Sequence, residues 1–189
     1  MLQTRYIIYC GAGAAVGAVA AIMTLAKAEG KPALAPVNAS SHWLWGDKAG
    51  RQTEADLEHT GIGGATNICA GLMWGGLLGA HFQRRRPTSV GIVRDGAVMG
   101  AIAGLLDYGL LPRRLSPGWE LVLSGRSVVL GMASMAAGAV IGGFAARAHE
   151  DAKEWPSLRR LRSVGARTLG VDTPFGQFRR GATGTFGKK

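Results

Sequence analysis

The sequence predicts an all-α integral membrane protein: a four-helix bundle with glycine-zipper packing and a basic cytoplasmic tail. Three observations predict it. Charge is nearly absent from four blocks, residues 6–26, 61–80, 90–111 and 119–146, and the exceptions are Arg94, Asp95, Asp107, Glu120 and Arg126. Glycine recurs at four-residue spacing inside those blocks, and bases crowd the C-terminal end. Mean hydropathy of +0.13 and 47% hydrophobic residues would suit a soluble chain, so the distribution of charge carries the argument. Each block reaches the ~20 residues that a helix needs to cross a hydrocarbon layer of ~30 Å. The expected organisation is a membrane bundle over residues 1–146, with a periplasmic loop at 29–60, and a tail over 147–189.

The first block follows Arg5 and ends in Ala26-Lys27-Ala28, a pattern a signal peptidase could cut. Its apolar run is longer than a leader's core, and Gly13 and Gly17 form a G-x-x-x-G pair suited to close helix packing, so it is read as a span. Pro32 and Pro36 then break the helix. Ser40 or Ser41 is placed to cap a short turn holding His42, Trp43 and Trp45, ended by Gly46 and Asp47. Indole rings favour the boundary between water and lipid, so His42, Trp43, Trp45 and Asp47 form an expected outer interfacial box. Thr53, with Asp56 three residues on, reads as a capping-box variant opening the second helix.

Helical spacing places Asp56, Thr60, Gly63, Asn67, Trp74 and His81 along one stripe, with His59 at its margin. A buried Asn must find a hydrogen-bond partner in lipid, so the stripe is expected to face other helices. Gly71, Gly75 and Gly79 run beside it. The third block repeats the device in Gly96, Gly100 and Gly104, with Asp107 expected on the same face. The fourth aligns Glu120, Ser124, Ser127, Gly131, Ser134, Gly138 and Gly142. Asp107 and Arg126 flank the turn between the last two blocks and are candidates for an ion pair, because charge within a span is costly unless paired. Cys10 and Cys69 both fall in apolar blocks and read as small buried hydrophobes.

From Arg147 onward the chain holds ten of its 22 bases against four acids. Pro156 opens an expected amphipathic helix whose Trp155, Arg159, Arg160, Arg162 and Arg167 would bind anionic lipid of the cytoplasmic leaflet, and disorder is expected beyond it. The tail lacks the interleaved aromatic platform of a single-strand RNA binder, so nucleic acid is disfavoured as a partner. Arg5, Arg84, Arg85, Arg86 and the tail bases make fourteen on one side, against six on the other. The positive-inside rule then puts both termini in the cytoplasm.

Two boxes, SHWLWGD with His59-Thr60 further on and LLDYGLLPRRLSPGWELVLS, resemble a group of uncharacterised bacterial inner-membrane proteins. The resemblance implies an inner-membrane location and carries no activity. Members of that group often have histidines in the second helix, where this chain has Asn67 and Cys69. Three functional classes follow. A structural or accessory membrane protein, alone or as a homo-oligomer or with a protein partner, needs no cofactor and accords with the lack of a catalytic motif. A transporter of small solutes or ions would use the polar stripe, including Asp107 and Arg126. A metal-dependent enzyme would recruit His42 and His59 with Asp47 and Asp56, although their spacing matches no metal signature.

Overall fold

In the computed structural model the backbone of residues 4–168 and the side chains of residues 4–152 are described. Among the described residues the chain is helical, with no strand. Six α-helices follow one another: α1 (Arg5–Ala28), α2 (Ala35–Ala39), α3 (His42–Trp45), α4 (Ile62–Arg84), α5 (Ser89–Leu105) and α6 (Gly125–Thr168). Two segments, 1–148 and 149–189, form separate compact units. The first holds everything described below. In the second, α6 continues as helix to Thr168, so the helix expected to begin at Pro156 is a continuation of α6. The side chains of Trp155, Arg159, Arg160, Arg162 and Arg167 lie outside the described residues, as does the segment after Thr168.

Among the described residues three helices are long and apolar enough to cross a membrane: Arg5–Ala28, Ser89–Leu110 and Gly125–Ala152. Their outward surfaces carry large apolar side chains, among them Ile8 and Val16, Val93 and Ile102, and Val129 and Ile141, which suits a lipid solvent. α4, expected as the second of four spans, is as long as α1 but does not reach their hydropathy. The reason is compositional: glycine fills the face that α4 turns to α1, and Asn67, Thr66 and His81 dilute the rest.

Glycine decides how closely the helices approach. A methyl group built on Gly71 would strike the backbone of Ala15; one on Gly75, the Cys10 carbonyl; one on Gly79, the Tyr6 carbonyl. As the α4 residue number rises the α1 number falls, so the two helices are antiparallel and in contact along most of their length. The other flank of α1 meets α6 in the same way, Gly13 against Gly138, Gly17 against the Ser134 carbonyl, and Gly142 against the Tyr9 carbonyl. Cys10, Ala14, Ala18 and Ile22 are therefore buried between two neighbours. Gly96 and Gly100 of α5 receive Val140 and Ala136 of α6.

The last helix begins later than expected. Gly118 adopts φ 79°, a conformation other residues rarely take, and packs against the Ala39 carbonyl. Trp119–Leu121 then form a 3-10 turn, and α6 starts at Gly125. Glu120 thus precedes the helix on which it was expected. α5 ends in a π-helical turn, Leu106–Leu110, which sends Tyr108 after Gly100 and Gly104 into the α5–α6 groove and Asp107 into a different cavity.

Candidate functional site: a polar cap above an indole-lined cavity

The segments that follow α1 and α5 fold together into a cap. Asn38 is fully buried at its centre. Its amide nitrogen donates to the carbonyls of Gln52 and Glu54, both at 3.0 Å, and its oxygen accepts from Thr60 Oγ1 at 2.6 Å. Asp56 is the N-cap of the π-helical turn Leu57–Gly61: its carboxylate accepts from the His59 backbone N–H at 2.5 Å and from Gln52 Nε2 at 2.7 Å, and meets His59 Nδ1 at 2.9 Å. Thr60 Oγ1 returns the favour by accepting from the Asp56 N–H at 3.1 Å. The reciprocal cap is therefore Asp56 with Thr60; the Thr53–Asp56 pairing suggested by spacing is displaced by three residues. The His59 backbone donor, followed by the His59 and Gln52 side chains, holds the Asp56 carboxyl down at about 2. Hydrogen bonding to the charged form stabilises that form.

A second clamp ties the end of α1 to the start of α6. Glu29 accepts from Ser124 Oγ and Ser127 Oγ, each at 2.6 Å, and from the Ser124 N–H, while Lys31 bonds both Glu29 at 2.7 Å and the Val122 carbonyl. A carboxylate at this position compensates the free N–H groups and positive end of the α6 dipole. Lys31, Ser124 and Ser127, in that order of influence, pull the Glu29 carboxyl down to about 2.

The outer box divides. His42 is buried rather than interfacial: a ring nitrogen lies 2.9 Å from the Ser116 carbonyl. Ser116 Oγ lies within hydrogen-bonding distance of the Arg113 carbonyl, at 2.8 Å, and of the Glu120 carboxylate, at 2.5 Å, and its one hydrogen donates to either. Ser41 precedes this turn but its hydroxyl donates backward to Asn38, so it does not cap α3 by its side chain. Trp43 is exposed and its indole donates to Thr66 Oγ1; Trp45 is half-buried and donates to the Glu58 carbonyl. Asp47 is exposed, 3.7 Å from Arg113.

The polar stripe divides as well. Asp56, His59 and Thr60 belong to the cap. Asn67 is buried within the bundle, donating to the Gly63 carbonyl at 2.8 Å and accepting from the Trp119 indole at 2.9 Å. His81 lies near the opposite end of α4, exposed and paired with Asp95 at 3.1 Å, which also bonds Arg94. Asp107 and Arg126 do not form the expected pair. Among the described residues no ion pair joins them, because Asp107 faces a cavity beside Trp74, whereas Arg126 is exposed at the start of α6. Cys10 is buried as expected, but Cys69 is exposed and lines that cavity.

This cavity, of about 740 Å³, is bounded by α4, the end of α5, the following turn and α6. Trp43, Trp74 and Trp119 line it with Asn67, Asp107 and Met135. Spacing on α4 pointed to Asn67 and Trp74; nothing local pointed to Trp119 or Asn38, whose partners lie far away in sequence. Among the described residues, no group of three His, Cys, Asp or Glu side chains is placed to hold a metal ion. His42 and His59 each have an assigned partner within the cap. The fold and site thus define a helical protein with three candidate membrane spans, a hydrogen-bonded cap and a cavity lined by indoles and one carboxyl group. Comparison with known protein families, curated proteins and solved structures finds no match.

Proposed function

We propose that the chain is a structural or accessory protein of a bacterial inner membrane, a four-span bundle with both termini in the cytoplasm and its cap in the periplasm. The observation that carries this reading is the use made of the polar side chains. Asn38, His42, Asn67 and Glu29 are each engaged in bonds that hold one segment of the chain to another, and Asp56 caps its own turn. Those polar groups are fastenings rather than steps along a path. A solute route along the stripe would also have to pass the α4 stretch where Gly71, Gly75 and Gly79 meet the α1 backbone.

The antiparallel contact of α4 with α1 supports a fourth span, since a helix packed along a crossing helix crosses with it. Buried glycine faces provide that association in lipid, where van der Waals contact replaces the hydrophobic effect. The distribution of bases supports the orientation, and the tail bases suit anionic lipid at the cytoplasmic surface. In a variant whose Cys10 and Cys69 are serine, single cysteines replacing Thr60, Asn67, Trp74 and His81, treated in intact cells and in inverted vesicles with a membrane-impermeant maleimide, test the reading. Thr60 is expected to react from the periplasmic side only and His81 from the cytoplasmic side only, with position 67 protected from both. Labelling of position 67, together with solute or ion flux through proteoliposomes of the purified protein, would replace the accessory reading by transport.

A further inference from the structure

The cavity beneath the cap has a chemical asymmetry that its place in the fold does not require. Among the described residues Asp107 is the one acidic side chain that lines it, and no Lys, Arg or His does. The carboxyl group has the Trp74 side chain within hydrogen-bonding reach. Among the described residues it has no ion-pair partner. A carboxylate at the edge of a span without a base beside it is held at a cost that a bound cation would remove. The rest of the wall suits the same guest: Trp43, Trp74 and Trp119 supply three indoles, the aromatic side chain that attracts cations most strongly. Trp43 and Trp119 are also fixed in place, their N–H groups bonded to Thr66 and Asn67.

We propose that this cavity binds an organic cation, a quaternary ammonium or similarly diffuse charge carried on an apolar body, with Asp107 as counter-ion and the indoles as its walls. The size agrees, because a volume of about 740 Å³ lies within the range of roughly 300–1,000 Å³ found for small-molecule pockets. An inorganic cation fits poorly, since such ions want several oxygen ligands, and beside Asp107 the lining's side-chain oxygens on Ser40, Thr66, Asn67 and Ser116 are already engaged in hydrogen bonds. An anionic guest would be repelled by Asp107. Trp43 and Leu115 are exposed, so the cavity is open to ligand from the outer boundary of the bundle. This proposal does not rest on the accessory reading.

The full-length protein in nanodiscs of anionic lipid, titrated with benzyltrimethylammonium while tryptophan fluorescence is followed, tests it. Saturable quenching is expected, and neopentylbenzene, the neutral isostere, should not compete. Asp107→Asn should weaken the cation's affinity at least tenfold, and Asp107→Glu should retain most of it. Asp95→Asn, at the other end of α5, should leave it unchanged. Nanodiscs of phosphatidylcholine separate two sources of the same headgroup chemistry: loss of free-cation binding there assigns the site to a choline lipid, and unchanged binding assigns it to a free cation. Absence of saturable quenching, equal competition by neopentylbenzene, or full affinity in Asp107→Asn would overturn the proposal. Should Asp107→Asn not be recovered folded, the wild-type comparison of the cation with its isostere decides.

Discussion

Gly75 and Gly76 are neighbours on α4, and alanine at the two positions should have opposite effects. At Gly76 a new methyl group would meet only Ile7 Cγ2, at 3.6 Å, an ordinary contact. Alanine is favoured over glycine inside a helix by about 0.8–1.0 kcal/mol, so Gly76→Ala should be neutral or stabilising by up to about 1 kcal/mol. At Gly75 the methyl group would run into the Cys10 carbonyl and approach Gly11 Cα to 2.8 Å. An extra carbon in a packed interior costs about 1–3 kcal/mol. Here the obstructing atoms are backbone, which has no alternative rotamer, so the upper half of that range applies. After subtracting the gain in helix propensity, Gly75→Ala should lose about 1–2 kcal/mol. Titration of the purified full-length protein from mild micelles into dodecyl sulfate, followed by tryptophan fluorescence, measures both. Equal stability of Gly75→Ala and wild type, or an equal loss at both positions, would refute the assignment of the α1–α4 seam.

Three further predictions follow from the bonds described above. Asp56 contributes stability that is present above its ordinary value near 3.8 and is lost as pH falls towards about 2; Asp56→Asn should therefore flatten the acid limb of a thermal-unfolding profile between those values, and a profile identical to wild type would argue against the cap. Among the described residues the Tyr108 hydroxyl is buried without a hydrogen-bond partner, so Tyr108→Phe should be neutral or stabilising by up to about 1 kcal/mol, whereas a clear loss in the same micellar titration would reveal a partner. Arg126→Gln and Asp107→Asn should add within about 0.5 kcal/mol in the double mutant, as residues without shared contacts do; a larger coupling would restore the ion pair.

What could be read from sequence was periodic and local. Charge-free blocks located α1, α4, α5 and the first half of α6, and the four-residue glycine spacing marked the α4 face that meets α1 and the α1 face that meets α6. The glycines that fit α4 against α1 also leave it less apolar than the three candidate spans. The cap was less legible, because its bonds join distant segments: Asn38 reaches Glu54 and Thr60, and His42 reaches Ser116. From spacing alone His42 sits beside two tryptophans and reads as interfacial; only the return of the 116–119 segment buries it. Asp107 was misplaced for a geometric reason. The π-helical turn Leu106–Leu110 alters the register of the α-helix before it, so extrapolation at α-helical spacing carried Asp107 onto the glycine face.

The position of α1 between α4 and α6 has a consequence for biogenesis. α1 is the first of these helices to leave the ribosome, yet one of its two seams closes against Gly138 and Gly142, which are made only after most of the chain. Until then the Gly13–Gly17 face lies open to lipid, and any small-residue helix nearby could dock there. Packing therefore cannot complete helix by helix in the order of synthesis. A nascent chain halted before α6 would hold an antiparallel α1–α4 pair whose Gly13–Gly17 flank is unsealed, and arrival of α6 is the event that seals it.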